Sequence, residues 1–138
     1  MKIIVDTSIW SLAFRRKNDL QNPNVLELYE LIQESRVQII GSIRQEILSG
    51  IRSKDIFIRL KKRLSAFPDL LITSNDYEKA AEYFNVCKSK GIQGSNTDYL
   101  ICAISNRFDF SIFTNDKDFQ NFEQLLPIKL HSYRVQSL

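Results

Sequence analysis

The sequence predicts an α/β protein built on a parallel sheet. The apolar run at residues 2–5 shows no alternation with polar residues, which is typical of a strand buried on both faces of a sheet. Further short apolar runs follow, separated by longer stretches in which apolar residues recur at helical spacing. Because predicted strands and helices alternate along the chain, parallel pairing through right-handed crossovers is the expected topology.

The first elements are marked by polar caps and by a proline. The strand at 2–5 ends at Asp6-Thr7-Ser8, which can cap a short helix over 9–14. Pro23 suits the first turn of a second helix, which we expect to run to about Ser35. A second strand is predicted at 37–40.

In the middle of the chain we expect three helices and one strand. Ser42 can cap a helix that Gly50 ends or bends, and Asn75 with Glu78 forms a capping-box pattern ahead of a helix that ends near Gly91. Between them lie a predicted helix at 54–66 and a third strand at 70–72. Two of these helices, the one at 54–66 and the one that ends near Gly91, are expected to face the core with apolar residues. These are Ile56, Phe57, Leu60, Leu64, Tyr77, Ala80, Ala81, Phe84 and Cys87.

The last third of the chain repeats the alternation. The remaining predicted elements are a helix at 94–107, a strand at 110–114, a turn or short helix at 116–121 and a strand at 128–131. With 138 residues, of which 43% are hydrophobic and 25% charged, the chain has the size and composition of one globular domain.

Cysteine usage and hydropathy predict a cytoplasmic protein. Cys87 and Cys102 have no zinc-like spacing and lie in helical patterns, so we expect reduced, buried thiols. No apolar run reaches the roughly 18 residues that a membrane span needs. Asp6 interrupts the first apolar run after four residues, so we expect no signal peptide.

Basic residues are concentrated in two segments. The net charge is +3, and positions 52–63 hold six basic residues against one acid, Asp55. One interpretation is an electrostatic track for RNA phosphates, and the other is a solvated helix face. The RNA-binding candidates on the first interpretation are Arg15, Arg16, Arg52, Lys61 and Lys62.

Four carboxylates are predicted to meet at one edge of the sheet. Asp6 and Asp116 follow predicted strands, while Glu46 and Asp98 lie in the first turns of helices. Ligands of open α/β sheets bind beyond the carboxyl ends of the strands, where such helices also begin. Clustered carboxylates repel one another, and a hard divalent cation such as Mg²⁺ or Mn²⁺ relieves that repulsion. The neighbouring groups that can orient carboxylates or phosphate are Thr7, Ser8, Thr114 and Asn115.

Each acid also has a structural interpretation. Asp98 completes an S-x-x-D capping pattern that starts at Ser95, and Asp6 can cap a helix. Glu46 suits a solvated helix face and Asp116 suits a turn. The metal-site interpretation therefore depends on the coincidence of all four.

Four blocks of the sequence, VDTSIW, QEILSG, GSNTDYLICA and TNDKDF, each contain one of these acids. Together and in this order they resemble the PIN domain, specifically the VapC-type toxins of bacterial type II toxin–antitoxin pairs. The resemblance spans nearly the whole chain. It implies a single three-layer α/β/α domain over residues 1–138, with a central parallel sheet of four to five strands.

The resemblance also implies an activity and partners. It predicts a Mg²⁺-dependent endoribonuclease, with Mn²⁺ as the second candidate ion and transfer or ribosomal RNA as the expected substrate. The family's metal-holding acids fall on Asp6 and Asp98, supported by Glu46 and Asp116, and Asp118 can replace or assist Asp116. Such toxins are usually homodimers, can form larger toxin–antitoxin assemblies, and are silenced by a cognate antitoxin whose C-terminal segment occupies the active-site groove.

Two other functions stay open at this level. A degenerate domain of the same family would bind RNA or an antitoxin without cleaving RNA. An aspartyl-phosphate phosphatase also places an aspartate after its first strand, but it needs a second acid two residues later, where this sequence has Ser8. His131 is the only histidine, which disfavours a histidine-based nuclease.

Overall fold

A computed structural model describes residues 1–15 and 21–134 of the chain. In this part of the chain four parallel strands form one sheet in the order β2–β1–β3–β4. The strands are β1 (Ile3–Val5), β2 (Val37–Gln38), β3 (Ser111–Phe113) and β4 (Leu130–His131). The helices are α1 (Thr7–Arg15), α2 (Pro23–Gln33), α3 (Gly41–Leu48), α4 (Lys54–Leu64), α5 (Ser74–Ser89), α6 (Asn96–Phe108) and α7 (Asp118–Leu125). The prediction of an α/β fold with four to five parallel strands is confirmed.

The strand order separates the helices into two layers. The chain moves from β1 to β2 in one direction across the sheet, and from β2 to β3 and then β4 in the other. Right-handed crossovers therefore place α1 and α2 on one face of the sheet and α6 and α7 on the opposite face. The contacts agree, because α1 packs on α2 and α3 while α5 packs on α6 and α7. The sheet is the middle layer of a three-layer α/β/α domain.

The core lies on both faces of β1 and β3. Ile4, Val5 and Ile112 are fully buried, which explains why their strands show no polar alternation. On the α6–α7 side the aromatic rings of Tyr99 and Phe122 pack with their centroids 5.0 Å apart. Cys87 and Cys102 are free, buried thiols, as predicted. Within the described ranges, none of the helices combines the length and the apolar character that crossing a bilayer requires.

The predicted strand at 70–72 is wrong. Only an isolated bridge between Ile39 and Asp69 forms there, and Leu71 is 81% exposed. The segment is instead fastened by the Arg44 side chain, which donates to Asp69 and to the carbonyl oxygens of Leu64 and Phe67. Within the segment itself, the Leu70 N–H donates to the Ile39 carbonyl at 3.4 Å and the Leu71 carbonyl accepts from Arg107 at 3.0 Å.

Two predicted helix caps are also wrong. The helix expected to start at Ser42 begins at Gly41, with Ile40 as its N-cap and no side-chain cap. The capping box before α5 is formed by Thr73 and Asp76, and not by Asn75 and Glu78. The acid of this capping box is Asp76, which is buried and pairs with Arg107 at 2.8 Å.

Some residues predicted to face the core face solvent instead. Ile56 is 43% exposed and Tyr77 is 57% exposed, while Phe57 and Ala81 also lie on exposed helix faces. The physical reason is that α4 is buried only along a narrow stripe, and that α5 turns inward the face that carries Asp76 and Ala80. The residues that α4 and α5 bury are Leu60, Leu64, Asp76, Ala80, Tyr83 and Cys87.

Candidate active site

The parallel pairing of β1 with β3 brings the residues after both strands together. Val5 is in register with Phe113, so Asp6 and Thr114 lie side by side at the carboxyl edge of the sheet. The Thr114 hydroxyl donates to Asp6 Oδ2 at 2.8 Å, and the Ser8 hydroxyl donates to the same oxygen at 2.8 Å. The Ser8 backbone N–H adds a weaker bond at 3.4 Å. One carboxylate oxygen of Asp6 is thus fixed by three donors.

Backbone amides of the loop after β3 orient both hydroxyls. The Asn115 N–H donates to Ser8 Oγ at 2.9 Å, and the Asp116 N–H donates to Thr114 Oγ1 at 3.0 Å. A hydroxyl that accepts an N–H keeps its own proton for another acceptor. The loop therefore directs the Ser8 and Thr114 protons toward Asp6, so two of the predicted supporting residues contact the first acid and a third, Asn115, contacts Ser8.

Asp98 is both a capping residue and a partly buried acid. Its Oδ2 accepts the Ser95 N–H at 3.0 Å, and its own N–H donates to Ser95 Oγ at 3.1 Å, so the S-x-x-D box predicted from sequence is formed. Burial raises the pKa of Asp98 to about 6. The hydrogen bonds from Ser95 oppose this shift, whereas the negative charges of Asp6 and Asp116 add to it. The charges of both acids thus act on the Asp98 carboxyl group.

The pKa of Asp6 is also raised. It is 5% exposed, and burial raises its pKa in spite of the hydrogen bonds from Ser8 and Thr114 that lower it. A buried carboxylate is stabilised by donors or by a cation. Asp6 has donors on one oxygen only among the residues described, so its second oxygen is available to a ligand.

Asp116 starts the segment that becomes α7. Its Oδ1 accepts the Asp118 N–H at 2.9 Å and its carbonyl accepts the Phe119 N–H at 3.2 Å. Asp118 itself is exposed. Asn115 makes a contact that no sequence pattern indicated, because its Oδ1 accepts from Asn24 Nδ2 on α2 at 3.3 Å.

Glu46 joins the site through α1. The Thr7 hydroxyl donates to Glu46 Oε1 at 2.7 Å, which links the first residue of α1 to the exposed face of α3. Thr7 lies next to Asp6 in sequence, so the two carboxylates occupy the same end of the sheet. Thr7, another predicted supporting residue, thus contacts one of the four acids.

The acids have no basic counterpart in the structure. Across residues 1–15 and 21–134, no ion pair includes Asp6, Glu46, Asp98 or Asp116. In the same residues, no three or more Asp, Glu, His or Cys side chains lie close enough together to hold one metal ion. The donor chemistry still fits a hard cation, because Mg²⁺ usually takes only one or two protein carboxylates and completes its shell with water and substrate.

The predicted RNA-binding residues are not paired with the acids in the described structure. Arg52, Lys61 and Lys62 are exposed, and no hydrogen bond or ion pair in the described structure joins them to an acid of the site. Arg15 is the last residue of α1, and its side chain lies outside the described part of the structure. Arg16 falls within residues 16–20, also outside it, and these predictions stay untested.

The sequence did not indicate the network around Glu27. This α2 residue is 1% exposed, accepts from Arg134 Nε at 2.8 Å and lies 2.5 Å from His131 Nε2. Arg134 also donates to Glu34 at 2.9 Å. The network fastens β4 and the segment after it to α2, and only the unusual acid within the apolar face of α2 could have suggested it.

Solved structures of similar shape come from several bacteria. FitAcB from Neisseria gonorrhoeae aligns with a TM-score of 0.74 and 18% identity, over 94% of this chain and 96% of that chain. VapBC2 from Rickettsia felis, bound to a DNA fragment from its promoter, aligns with a TM-score of 0.73 and 17% identity, over 95% and 98%. A toxin–antitoxin complex from Klebsiella pneumoniae aligns with a TM-score of 0.62 and 16% identity, over 86% and 90%. At these identities the likeness concerns the fold.

Family membership follows from the sequence itself. The comparison with curated proteins finds no significant match. The sequence profile described as the PIN domain matches residues 3–125, which include both central strands and all four candidate acids. The chain belongs to the PIN domain family.

Proposed function

We propose that this protein is a Mg²⁺-dependent endoribonuclease and the toxin of a VapBC-type toxin–antitoxin pair. The observation that carries the proposal is the placement of buried Asp6 and partly buried Asp98 at the carboxyl edge of the sheet, where the charges of Asp6 and Asp116 act on Asp98 and no basic side chain of the described structure pairs with any of the three. Such an arrangement is costly unless a cation completes it. PIN domains are nucleases, and the resemblance of the four acidic blocks to VapC-type toxins supports the narrower assignment.

Asp6 and Asp98 would hold the ion, and Glu46 and Asp116 would support it. The free oxygen of Asp6 is presented by the hydroxyls that fix the other oxygen. Asp98 is held by its capping box, so its carboxylate needs little reordering on binding. When bound, Mg²⁺ or Mn²⁺ supplies activation of water and stabilisation of the leaving oxygen of a phosphodiester.

Protonation of Asp98 limits the pH range of the site. A carboxylate must be ionised to ligate a cation, and the pKa of Asp98 is about 6 without one. Of the two acids after β3, we assign the supporting role to Asp116, because its charge acts on Asp98 whereas Asp118 is exposed and only donates its N–H to Asp116. The resemblance to VapC-type toxins implies products with a 5′-phosphate and a 3′-hydroxyl.

The proposed partners follow from the similar structures and from the sequence resemblance. One similar structure is a toxin–antitoxin complex and another contains promoter DNA. We therefore assign this chain a cognate antitoxin, RNA as substrate, and a homodimer or a larger toxin–antitoxin assembly as its working form. Its place of action would be the cytoplasm, where RNA is present.

The experiment is cleavage of purified transfer RNA and ribosomal RNA by partner-free protein. It compares Mg²⁺, EDTA and the variant Asp98→Asn, with Asp55→Asn as a matched exposed aspartate outside the site. Discrete fragments that require both the metal and Asp98, and that persist with Asp55→Asn, would support the proposal. Cleavage that continues in EDTA or in Asp98→Asn would refute it.

A second candidate is an RNA- or antitoxin-binding domain without nuclease activity. The observation that favours it is that no three acids of the described residues lie close enough to share one ion. It predicts RNA binding that Asp98→Asn leaves intact and no cleavage with any metal. The phosphatase alternative is weaker, because the position two residues after Asp6 is a serine that only donates to Asp6.

A further inference from the structure

A small polar cleft lies beside the candidate acids, at the carboxyl ends of β3 and β4. Its volume is about 220 Å³, and one wall carries Asp116 itself. The lining residues are Thr114, Asn115, Asp116, Lys117, Gln120, Leu130, His131 and Ser132. The roles assigned above to the acids and hydroxyls use only Thr114, Asn115 and Asp116, so the rest of the cleft has no assigned role.

The wall formed by β4 is rigid. His131 is held by buried Glu27 at 2.5 Å, and its ring packs edge-on against Phe113 with a centroid distance of 5.3 Å. Arg134, just after the wall, is fastened to the same glutamate at 2.8 Å. A wall that is ordered before binding costs a ligand less ordering entropy.

The opposite wall presents polar groups with no partner among the described residues. Lys117 makes no ion pair there and the Gln120 amide has no hydrogen bond; on the β4 side, the Ser132 hydroxyl has none either among the described residues. Lys117 and Gln120 are both exposed. One cation and several amide or hydroxyl groups are suited to a phosphate and to the edge of a base.

We propose that this cleft binds one unpaired RNA nucleotide next to the scissile phosphate, and that Gln120 and Lys117 contribute base preference and phosphate affinity. The inference rests on the proposed nuclease function, which places the scissile phosphate at the acids. The volume corresponds to about seven waters at ~30 Å³ each, enough for one base but not for a base pair. Sequence-specific RNA recognition targets unpaired bases, which can enter such a recess.

The two side chains have separable roles. An amide reads a base through its donor and acceptor edge, so Gln120 affects which base is preferred. An ammonium group interacts with phosphate whatever the base, so Lys117 affects affinity and its dependence on salt. This separation gives each substitution its own expected result.

The test is binding, in the Asp98→Asn background, of labelled single-stranded RNA oligomers that differ at one position. Fluorescence anisotropy in EDTA measures affinity without cleavage. Adding Gln120→Ala is expected to reduce discrimination among bases about tenfold. Adding Lys117→Ala is expected to weaken the binding of all oligomers alike. It should also reduce the slope of log affinity against log salt concentration by about 0.7. The matched controls are Gln124→Ala, one turn further along α7, and Lys90→Ala, both outside the cleft.

Unchanged base discrimination with Gln120→Ala, or an equal change with Gln124→Ala, would overturn the inference. Absence of oligomer binding by folded Asp98→Asn protein would also overturn it. A failure of the proposed function would give a different result. If the wild-type protein does not cleave RNA with Mg²⁺, the nuclease proposal is refuted, while anisotropy still reports whether the cleft discriminates among bases.

Discussion

Thr114 donates its hydroxyl proton to Asp6 at 2.8 Å across two strands that are 108 residues apart in sequence. The same hydroxyl accepts the Asp116 N–H at 3.0 Å. A single side chain thus connects the acid after β1 with the loop after β3. The hydroxyl is the most direct structural link between two of the candidate acids, and it can be removed without changing the size of the side chain.

Thr114→Val should reduce RNA cleavage about tenfold or more, because Asp6 loses a donor that fixes one oxygen. The free energy of unfolding should fall by about 1 kcal/mol, since the Asp116 N–H also loses its acceptor. Thr114→Ser restores the hydroxyl and should recover most of the cleavage. Initial rates and urea denaturation measure the two effects. Full activity of Thr114→Val would show that this hydroxyl does not position Asp6.

Asp98→Asn should abolish cleavage yet stabilise the metal-free protein at neutral pH. The pKa of Asp98 is about 6 in the fold, against an ordinary value of 3.8, so the folded state binds more protons between these values. The free energy of unfolding therefore falls as pH rises from about 4 to about 6, and the penalty is complete above pH 6. The amide removes the charge and keeps an oxygen that can accept the Ser95 N–H.

We expect a gain of about 1 kcal/mol at pH 7, because Asp98 is partly exposed and solvent screens the repulsion. Urea denaturation in EDTA from pH 4 to pH 7 measures it, with Asp55→Asn as the control. A uniform loss of stability at every pH would mean that capping by the carboxylate outweighs the repulsion.

Mg²⁺ should raise the melting temperature of the wild-type protein and leave Asp98→Asn nearly unchanged. A ligand that binds only the folded state stabilises it by about 2.7 kcal/mol at one hundred times its dissociation constant. The stabilisation should weaken below pH 6, where protons compete for Asp98. Thermal unfolding with MgCl₂, against CaCl₂ and NaCl at equal ionic strength, separates specific binding from screening. Equal stabilisation of both proteins would place the ion elsewhere.

The positions of the candidate acids relative to the strands and helices could be predicted from sequence, while their role at a metal site stays a prediction. Asp6 directly follows an apolar strand, Asp116 comes three residues after the end of β3, and Asp98 completes a local capping pattern. The contact between Glu27 and His131 could not be found this way, since it joins residues 104 positions apart and leaves no local pattern. The predicted strand at 70–72 failed for a related reason: the Leu71 carbonyl oxygen accepts from Arg107, a side chain 36 positions away on α6, and no local pattern indicates that contact.

Gly94→Ala should destabilise the protein and disturb the start of α6. A Cβ at this position would lie 2.5 Å from Phe122 Cζ and 3.0 Å from Tyr99 Cζ, and both rings are buried in the core. Relief requires moving either the packed rings or the backbone next to Ser95, which caps α6 with Asp98. We expect a loss of about 1–3 kcal/mol, the usual cost of overpacking. Gly50→Ala is no clean control because its φ is +83°, so Ala81→Ser on exposed α5 surface serves instead. Urea denaturation that gives equal stabilities for the two variants would contradict the prediction.

Glu27→Ala should cost far more stability than Glu34→Ala, although both glutamates bind Arg134. Glu27 is 1% exposed and holds both Arg134 and His131, so its removal leaves a buried polar network without its anion, at a cost of about 3 kcal/mol or more. Glu34 pairs with arginines at the surface, where solvent screens the ion pair and its removal costs little stability. Denaturant titrations of the two variants give the comparison directly. Similar losses would mean that the buried pair stabilises β4 no more than a surface contact does, and that the wall of the cleft is held by the packing of His131 on Phe113 alone.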